Sequence, residues 1–502
     1  MHKVTHGSYS IELRQNVFHS ILNDAPREGE MIEPLIDPAT GDEWGSVSWE
    51  ERYVSEAVDL ASDAITVSDW SQMHRSARAD VLERVGSAVL DRQEEIALLE
   101  TMATGKPLAS TRAEVAASVG WWRYQASLLR TLRDEWLELS PSKHAQLRYE
   151  PVGLVAIVTP FNGAFSLGTW KLAPALAAGN AVVIKPPINS PASTLLLVEA
   201  LREAGVPKGI VQVVQGGSEV GSRLVGHPDV SMVSFTGSSE AAATVGQATS
   251  SRLSKFVAEA GGKSAHIIFE DANLVDAVTA VVQGAFSGSG QTCVAGSRVL
   301  VQDSIRDQFV SKLLERIGRL NIGDPFSDKT HLGPIASKEQ YNRILDILSA
   351  GQEEGAEVLV GGGPSISLPI ELRQGFWLEP TVLRVEANSS RICQTEIFGP
   401  VISVMEFSQE CDAVAIANDS PYGLAAGFWT SDPSRIRRVA NSLKAGTVWV
   451  NSYRGMDWQT PFGGYKMSGL GRENGVEGLR EFQELKAIVS DVDSAADPFG
   501  LA

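Results

Sequence analysis

Short apolar runs alternate with amphipathic segments from Leu154 to Glu259, and this alternation limits the possible folds more than any other feature of the chain. Each run is too short for a buried helix and long enough for a buried strand, and turn signals such as Gly179-Asn180 and Pro186-Pro187 separate the segments. Strands and helices in alternation predict a parallel sheet that is covered on both faces. The predicted strands are "LVAIV" (154–158), "AVVIK" (181–185), "IVQVV" (210–214), "MVSF" (232–235) and "KFVAE" (255–259), with helices predicted at 166–178 and from Ser190-Pro191 to about Glu203.

A second unit of the same kind begins after Gly261-Gly262. The strand "HIIF", a helix through "LVDAVTAVVQGAF" and the loop "SGSGQTCVAGSR" (287–298) follow one another, and the alternation continues to "GTVWVNS" (446–452). Two regions fit neither unit. The stretch "EWLELSPSKHAQLRYEP" (135–151) predicts a hairpin, and the tail after "FQELKAIVSDV" is predicted to pair with a neighbour, so both are candidate assembly elements.

The charge and the cysteine content exclude several classes of protein. Lys and Arg number 43 against 61 for Asp and Glu, which gives a net charge of −18 and argues against a nucleic-acid partner. The first 15 residues lack the apolar core of a signal peptide, and Pro174 and Gly179 interrupt the most apolar stretch, so neither export nor membrane spanning is predicted. The chain has an odd number of cysteines (Cys293, Cys393 and Cys411) and scattered histidines, so we expect a cytoplasmic protein with neither disulfides nor a metal site.

Ligands of open α/β sheets bind beyond the carboxyl ends of the strands, so the loops after each predicted strand are candidate sites. They are "TPFNG" (159–163), "KPPI" (185–188), "TGSSE" (236–240) and "AGGK" (260–263). In "SFTGSSEAA" a strand runs directly into a Gly-Ser-Ser turn and a helix, an arrangement that suits a pyrophosphate. This is not a GxGxxG motif, and the alternative is that Ser238 is an ordinary helix N-cap.

Cys293 lies in a Gly- and Ser-rich loop that has no apolar face to bury. One interpretation is an inert thiol at the edge of a core, which is the common use of a free cysteine. The other is a nucleophile, because the flanking glycines allow close approach of backbone. The loop alone does not decide between them.

Taken together, these loops resemble the aldehyde dehydrogenase superfamily. The motifs that carry the resemblance, in family order, are "TPFN", "WKLAPALAAGNAVVIKP", "SFTGS", "EAGGKS", "GQTCVAGSR", "EIFGPV" and "NSYRGMDWQTPFGGYKMSG". The resemblance implies an α/β fold with a Rossmann-like NAD(P)-binding domain at 1–128 and 151–260, a second α/β catalytic domain at 261–467 and a small β oligomerisation element at 129–150 and 480–502. It also implies a homodimer or homotetramer that acts on a small-molecule aldehyde.

The resemblance assigns roles to residues of this chain. Cys293 matches the nucleophile, Glu259 the general base and Asn162 the oxyanion-hole amide, and Lys171 matches a lysine near that amide. The matching cofactor contacts are Thr159, Pro160, Lys185, Ile188, Gly237, Ser238, Glu396 and Phe398. The matching walls of the substrate tunnel are Phe161, Gly163, Leu167, Trp170, Met456, Trp458 and Phe462. Without the complete set of motifs, a loop charge at Glu396 and a helix-surface lysine at Lys171 would be the better interpretations.

Each of these residue types suits a step of aldehyde oxidation. A thiolate attacks the aldehyde carbon, amide donors stabilise the alkoxide, hydride leaves for NAD or NADP, and a carboxylate with a raised pKa activates the water that cleaves the thioester. The presence of Glu259 predicts a free acid rather than a coenzyme A thioester as product, since acylating relatives generally lack that base. A catalytically silent binding or structural protein on the same fold, and a thiol hydrolase, are the rival interpretations. Intact catalytic positions and the nucleotide loops argue against them.

The chain departs from the family pattern at three informative positions. Ala242 stands where many members have a second glycine, and we expect binding to survive this change. Ile188 stands where NAD-preferring members commonly have a glutamate that repels a 2′-phosphate, so we hypothesise that NADP is tolerated or preferred. Gly163 stands where many members have a bulky side chain, which predicts a wide tunnel at that point.

The predicted tunnel wall is largely apolar and aromatic, so a long aliphatic or aromatic aldehyde is the first expectation for the substrate. Arg454 lies in the same loop as Met456 and Trp458. It offers an alternative, a semialdehyde whose carboxylate it binds. As a surface charge it would have no such role, and the sequence favours that simpler interpretation.

Overall fold

The N-terminal part of the chain combines small antiparallel sheets with a layer of helices. The computed structural model describes residues 2–6 and 9–492. The first strands are β1 (His2–His6), β2 (Tyr9–Leu13), β3 (Val17–Phe18), β4 (Ser20–Leu22), β5 (Ala25–Arg27), β6 (Met31–Ile36) and β7 (Glu43–Trp49). The helices α1 (Tyr53–Val67), α2 (Arg75–Asp91), α3 (Gln93–Thr104) and α4 (Leu108–Thr131) follow, and then the hairpin of β8 (Glu135–Ser140) and β9 (Lys143–Pro151). The predicted hairpin is therefore confirmed.

The first large sheet contains the five strands that the sequence predicts, and all five run parallel. Its chain order is β10 (Leu154–Val158), α5 (Ala164–Ala178), β11 (Ala181–Lys185), α6 (Ala192–Glu203), β12 (Val211–Val213), α7 (Ser218–Gly226), β13 (Met232–Thr236), α8 (Ser239–Ser250) and β14 (Lys255–Glu259). These strands lie in the order β14-β13-β10-β11-β12, with β4 and β5 beyond β12. Helix α5 begins two residues earlier than predicted because the 3-10 turn Phe161–Gly163 leads directly into it.

A second, seven-stranded sheet follows, in the order β17-β18-β19-β16-β15-β21-β22, and only β17 runs antiparallel to its neighbour. Its strands are β15 (Ala265–Ile268), β16 (Arg298–Gln302), β17 (Glu357–Val360), β18 (Thr381–Arg384), β19 (Val401–Phe407), β21 (Ala425–Trp429) and β22 (Thr447–Val450), and β20 (Tyr422–Gly423) lies outside it. The helices are α9 (Leu274–Phe286), α10 (Arg306–Ile317), α11 (Lys338–Glu353), α12 (Arg391–Gln394), α13 (Glu410–Asn418) and α14 (Pro433–Ser442). The mixed α/β class with two parallel-strand sheets is as predicted.

The C-terminal segment returns to the first sheet and then leaves it. Its elements are β23 (Tyr465–Lys466), β24 (Gly469–Leu470), α15 (Gly475–Glu481) and β25 (Gln483–Asp491). Strand β24 pairs antiparallel with the end of β14, where Gly469 lies opposite Glu259. A residue from beyond the predicted catalytic domain thus lies next to the predicted base, and the domain bounds remain a prediction.

Strand β25 pairs along its whole length with β9, which completes a three-stranded sheet in the order β25-β9-β8. These strands lie within the predicted oligomerisation element, of which residues 493–502 lie outside the described residues. Several large apolar side chains of the sheet are exposed to solvent: Trp136, Leu137, Leu139, Leu485, Ile488 and Val489.

Residues 2–6 and 9–492 contain neither a candidate membrane-spanning helix nor a candidate metal-binding cluster. No helix there is both long enough and apolar enough to cross a bilayer. No group of three or more His, Cys, Asp or Glu side chains there is placed to hold a metal ion.

Candidate active site

Cys293 follows the short 3-10 turn Ser287–Gly290, between α9 and β16. The last three residues of this turn have positive φ angles, including 70° at Gly290. A Cβ atom at Gly290 would lie 2.1 Å from the carbonyl oxygen of Gly399. Only glycine therefore lets the cysteine loop pack directly on the "EIFGP" segment, as the close approach of backbone expected from the sequence requires.

Asn162 lies in the 3-10 turn before α5, and the fold brings it to the cysteine loop. Its Nδ2 donates a hydrogen bond of 3.0 Å to the carbonyl oxygen of Gln291, two residues before Cys293. Its own carbonyl oxygen accepts a hydrogen bond of 3.1 Å from Nζ of Lys106. The sequence did not single out Lys106. Its only distinguishing feature there is its position after Gly105, two residues before α4. The contact depends on how α4 meets the turn.

Glu259 is the last residue of β14 and is buried. In the described part of the chain, neither of its carboxylate oxygens has a hydrogen-bond partner. Burial raises the pKa of Glu259 well above its ordinary value, and the nearby carboxylate of Glu473 raises it further, whereas Lys171 lowers it. A carboxylate that gains a proton this readily has the property that a general base requires near neutral pH.

Lys171 lies on α5, is fully buried and is on the same side of the site as Glu259. Its Nζ donates hydrogen bonds to the carboxylate of Glu473 and, at 3.2 Å, to the hydroxyl of Ser234 on β13. Neither hydrogen bond goes to Asn162, so the role that the resemblance implies for Lys171 stays a prediction. Residue 171 lies two helical turns beyond the start of α5, which carries its side chain along the sheet to β13 and Glu473.

The "AGGK" loop after β14 joins the cysteine loop to Glu396. The N–H of Gly262 donates a hydrogen bond of 2.9 Å to Oε1 of Glu396. A Cβ atom at Gly262 would lie 2.4 Å from the carbonyl oxygen of Cys293, so the two backbones are in direct contact. Burial raises the pKa of Glu396 to about 7, although the Gly262 N–H opposes the rise. The structure thus brings together three of the predicted motifs around one thiol.

The Cys293 thiol is partly buried and is difficult to ionise in this state. Burial raises its pKa to about 12, and the carboxylates of Glu396 and Glu259 add to the rise, whereas the Arg454 guanidinium lowers it. Burial therefore disfavours the thiolate form of Cys293. Of the other cysteines, Cys393 is buried and Cys411 is exposed, and all three are free.

The ends of β10, β11 and β13 carry polar groups that suit a dinucleotide. The hydroxyls of Thr159 and Thr236 are buried, and neither has a hydrogen-bond partner among the residues described. Burial lowers the pKa of Lys185 to about 8, and its Nζ donates to the carbonyl oxygen of Pro186. Ribose hydroxyls and phosphate oxygens would satisfy these groups, so the residues fit the cofactor. Three further predicted contacts lie in the same loops, namely Pro160, Ile188 and Gly237.

Ser238 is the N-cap of α8, since its hydroxyl accepts a hydrogen bond from the N–H of Ala241 at 3.2 Å. This is the simpler of the two interpretations that the sequence allowed, and it still leaves a helix N-terminus at the end of β13. Phe398 has a φ angle of 57°, and its ring meets that of Phe161 edge to face at 5.6 Å. Phe161 therefore links the predicted tunnel wall to the predicted nicotinamide contact.

Aromatic residues of the predicted tunnel wall meet around Trp121 of α4, which the sequence did not single out. Trp121 stacks on Trp170 at 5.0 Å and meets the ring of Trp458 edge to face at 5.8 Å. The ring of Phe462 lies edge to face on Trp170 at 5.6 Å. In the sequence, Trp121 is indistinguishable from a core residue of an amphipathic helix.

Two further residues of the predicted wall are Gly163 and Met456. A Cβ atom at Gly163 would lie 2.8 Å from the hydroxyl of Ser166 and 3.4 Å from Cγ of Leu167. A side chain at position 163 would therefore crowd Ser166 and Leu167, and the width of the tunnel at this point stays a prediction. Met456 is 37% exposed, so it lies at the outer end of the wall.

Arg454 is not the surface charge that the sequence favoured. Its φ angle is 61°, and its Nη1 is inaccessible to solvent and has no hydrogen-bond partner within the described residues. The charge lies close enough to Cys293 to lower the pKa of the thiol.

Comparison with known proteins agrees with this geometry. A model of the aldehyde dehydrogenase family matches residues 25–488. The betaine aldehyde dehydrogenases of Brucella melitensis and Brucella ovis are each 37% identical to this chain over 468 residues, which are 93% of this chain and 95% of theirs. A crystal structure of betaine aldehyde dehydrogenase from Staphylococcus aureus in complex with NAD+ superposes with a TM-score of 0.93 at 34% identity and covers 96% of both chains.

Proposed function

The chain belongs to the aldehyde dehydrogenase family and is an NAD(P)-dependent aldehyde oxidoreductase, and we propose that it releases a free carboxylic acid through a thioester on Cys293. The observation that carries this proposal is the convergence of three elements on one thiol. The Asn162 amide bonds the loop of Cys293, the "AGGK" segment touches its carbonyl oxygen, and Glu259 lies directly before that segment.

Attack by the Cys293 thiolate on the aldehyde carbon creates an alkoxide that needs hydrogen-bond donors. The Nδ2 of Asn162 is one donor, because it already points at the cysteine loop. The N–H of Cys293 is the other, since no described residue accepts a hydrogen bond from it. Preorganised donors of this kind stabilise developing charge without reorganisation during the reaction.

NAD(P), when bound, accepts the hydride that leaves the tetrahedral carbon. The residues that would hold it are Lys185, Thr159 and the start of α8 at one end and Glu396 with Phe398 at the other. The Gly262 N–H orients the Glu396 carboxylate. Because Gly262 also touches the cysteine backbone, this single loop sets the distance between nucleophile and cofactor contact.

Glu259 takes a proton from the water that cleaves the thioester. Its unpartnered oxygens are free to accept that proton, and its raised pKa makes it an effective acceptor. A Cβ atom at Gly463 would come within 2.9 Å of Oε1, so a glycine there keeps one side of the carboxylate open. Lys171 holds Glu473 beside it and opposes the rise in pKa.

For the choice between NAD and NADP, we propose that the enzyme tolerates or prefers NADP. The support for this proposal is that Ile188 provides no carboxylate to repel a 2′-phosphate and that Lys185 provides a nearby cation. Glu219, at the start of α7, acts in the opposite direction, since it lies close enough to raise the pKa of Lys185. The ratio of kcat/KM for the two cofactors tests this proposal.

The substrate class that we propose is a polar aldehyde with a charged group. The relatives are named for betaine aldehyde, which carries a quaternary ammonium, and these names oppose the expectation of a long aliphatic or aromatic substrate. Aromatic faces such as those of Trp170 and Trp458 bind quaternary ammonium groups, so betaine aldehyde is one candidate. A semialdehyde is the other, and Arg454 is the residue that distinguishes them.

Reduced-cofactor absorbance with a panel of aldehydes tests the activity, and identification of the acid product tests the hydrolytic route. We expect Cys293→Ala to abolish turnover. Persistent oxidation in that variant would contradict the role of Cys293, and release of a coenzyme A thioester in place of the free acid would contradict that of Glu259.

We also propose that the β25-β9-β8 sheet is the oligomerisation element. Its exposed apolar side chains support this, because a patch of this kind on a free surface favours association. A dimer or tetramer would cover them. The cytoplasmic location stays a prediction from the cysteine content.

A further inference from the structure

The loop between β22 and β23 places residue 454 beside the nucleophile. The preceding residue, Tyr453, is buried, and its hydroxyl donates a hydrogen bond of 3.0 Å to the carbonyl oxygen of Val294. The Tyr453 ring also stacks on His266, with centroids 4.4 Å apart and planes 16° apart. Because Val294 directly follows Cys293, the base of the Arg454 side chain is fixed relative to the thiol.

The backbone at Arg454 is strained and firmly held. A φ angle of 61° lies in the left-handed region, which is unfavourable for a long side chain. The N–H of Met456 donates a hydrogen bond of 2.9 Å to the carbonyl oxygen of Arg454, and the Trp449 indole donates one of 3.0 Å to that of Gly455. Strain of this kind persists only where the surroundings impose it, so the loop presents the guanidinium in a defined position.

The guanidinium of Arg454 is without a partner in the described part of the chain. Its Nη1 is inaccessible to solvent, and no described residue forms a hydrogen bond or an ion pair with the side chain. Glu114 is the carboxylate that interacts with it at longer range, and Lys106 already pairs with Glu114. A buried donor without a partner is costly, and the cost is larger when the group is charged.

Arg298 shows what a structural role looks like for a buried arginine in this protein, whereas the Arg454 residue as a whole is only partly buried. The side chain of Arg298 is buried and donates to the carbonyl oxygens of Lys263, Ile416 and Ala417 and to the side chain of Asn388. Arg454 has none of these bonds, although its charge acts on the Cys293 thiol. Packing alone therefore does not account for the presence of an arginine at position 454.

We infer that Arg454 binds a carboxylate at the far end of the substrate, so that the preferred substrates are ω-oxo acids and the products are dicarboxylates. The inference rests on the proposed function, because it names the substrate class of that same site. A carboxylate matches the planar fork of guanidinium donors and supplies the missing acceptors. The quaternary ammonium of betaine aldehyde would instead meet a like charge next to the thiol.

The test compares 4-oxobutanoate with butanal, which has the same carbon chain without the carboxylate. In the wild type we expect kcat/KM for 4-oxobutanoate to exceed that for butanal at least tenfold, and that for betaine aldehyde to be lower than both. In Arg454→Met the ratio of 4-oxobutanoate to butanal should fall at least fiftyfold, and Arg454→Lys should lie in between. Arg319→Met removes an exposed arginine of the loop after α10 and should leave the ratio unchanged.

Binding without turnover gives a second readout. Succinate should slow the alkylation of Cys293 by iodoacetamide in the wild type, tetramethylammonium should not, and Arg454→Met should lose the succinate effect. This readout decides the question even if one variant fails to fold, since the wild type and Arg454→Lys suffice.

Two results would overturn the inference while the proposed function stands. One is a wild type that oxidises butanal better than 4-oxobutanoate, and the other is a loss in Arg454→Met that is equal for both aldehydes. If the wild type oxidises none of the three aldehydes with either cofactor, the proposed function itself fails, and the inference fails with it.

Discussion

The side-chain amide of Asn162 donates a hydrogen bond of 3.0 Å to the carbonyl oxygen of Gln291 in the cysteine loop. Removal of this donor in Asn162→Ala should lower kcat by roughly 10²–10³, the usual loss for one oxyanion donor. Steady-state kinetics with saturating aldehyde measure it. The thermal unfolding temperature serves as the control for folding, and an unchanged kcat would contradict the oxyanion role.

Glu259→Gln should separate the two chemical steps. Hydride transfer needs no general base, so a burst of reduced cofactor should remain, whereas steady-state turnover should fall by about 10²–10⁴. In the wild type the rate should rise with pH through the raised pKa of Glu259, because only the ionised carboxylate accepts the proton. Stopped-flow traces and a pH profile measure both effects, and a variant that keeps this pH limb would exclude Glu259 as the base.

The raised pKa of Cys293 predicts slow alkylation of the ligand-free enzyme. Since the pKa is about 12, the thiolate fraction and the rate with iodoacetamide should rise about tenfold per pH unit from pH 7 to 10. Cys411 is exposed and would react as well, so the measurement uses a Cys411→Ser background. A plateau of the rate below pH 9 would show that the thiol ionises more easily than its burial indicates.

Ile188→Glu should shift the cofactor preference toward NAD. The new carboxylate would repel a 2′-phosphate, so kcat/KM with NADP should fall at least tenfold relative to NAD. Glu219→Gln is the matched opposite change, since it removes a carboxylate near Lys185, and it should favour NADP. A wild type that already prefers NAD more than a hundredfold would refute the hypothesis drawn from Ile188.

A charged residue on the exposed sheet should weaken assembly. Leu139 of β8 and Val489 of β25 are 52% and 56% exposed, and a partner subunit would bury them. Leu139→Lys and Val489→Asp should each shift the mass measured by light scattering toward the monomer. Val67→Asp, at an exposed site on α1, is the control. A wild-type monomer at micromolar concentration would rule out this role for the sheet.

Much of the fold was predictable because local patterns specify it. The strands from Leu154 to Glu259 are buried on both faces, so they appear in the sequence as uninterrupted apolar runs. The return of β24 to the edge of β14 was not predictable, because two residues of pairing leave no periodic pattern. The proposed catalytic trio of Cys293, Glu259 and Asn162 came from motif resemblance rather than from spacing.

The contacts that tune the site depend on distant segments, and no local pattern indicates them. Lys106 reaches Asn162 from two residues before α4, and Lys171 reaches Glu473 across 302 positions of chain. The partnerless state of Arg454 likewise depends on how Tyr453 is held by Val294 and His266. Motifs therefore located the reacting groups, whereas the tertiary structure determined their electrostatics.

The hydrogen bond from Tyr453 to Val294 separates two roles within the loop between β22 and β23. Residue 453 is bonded to the backbone beside the nucleophile, and the residues that follow it are those proposed to face the substrate. Substitutions at 454 and 456 can therefore change which aldehydes are accepted while the thiol stays in place, whereas a substitution at 453 would damage both. This loop is the segment in which new substrate ranges can evolve, or be engineered, at the smallest risk to the chemistry.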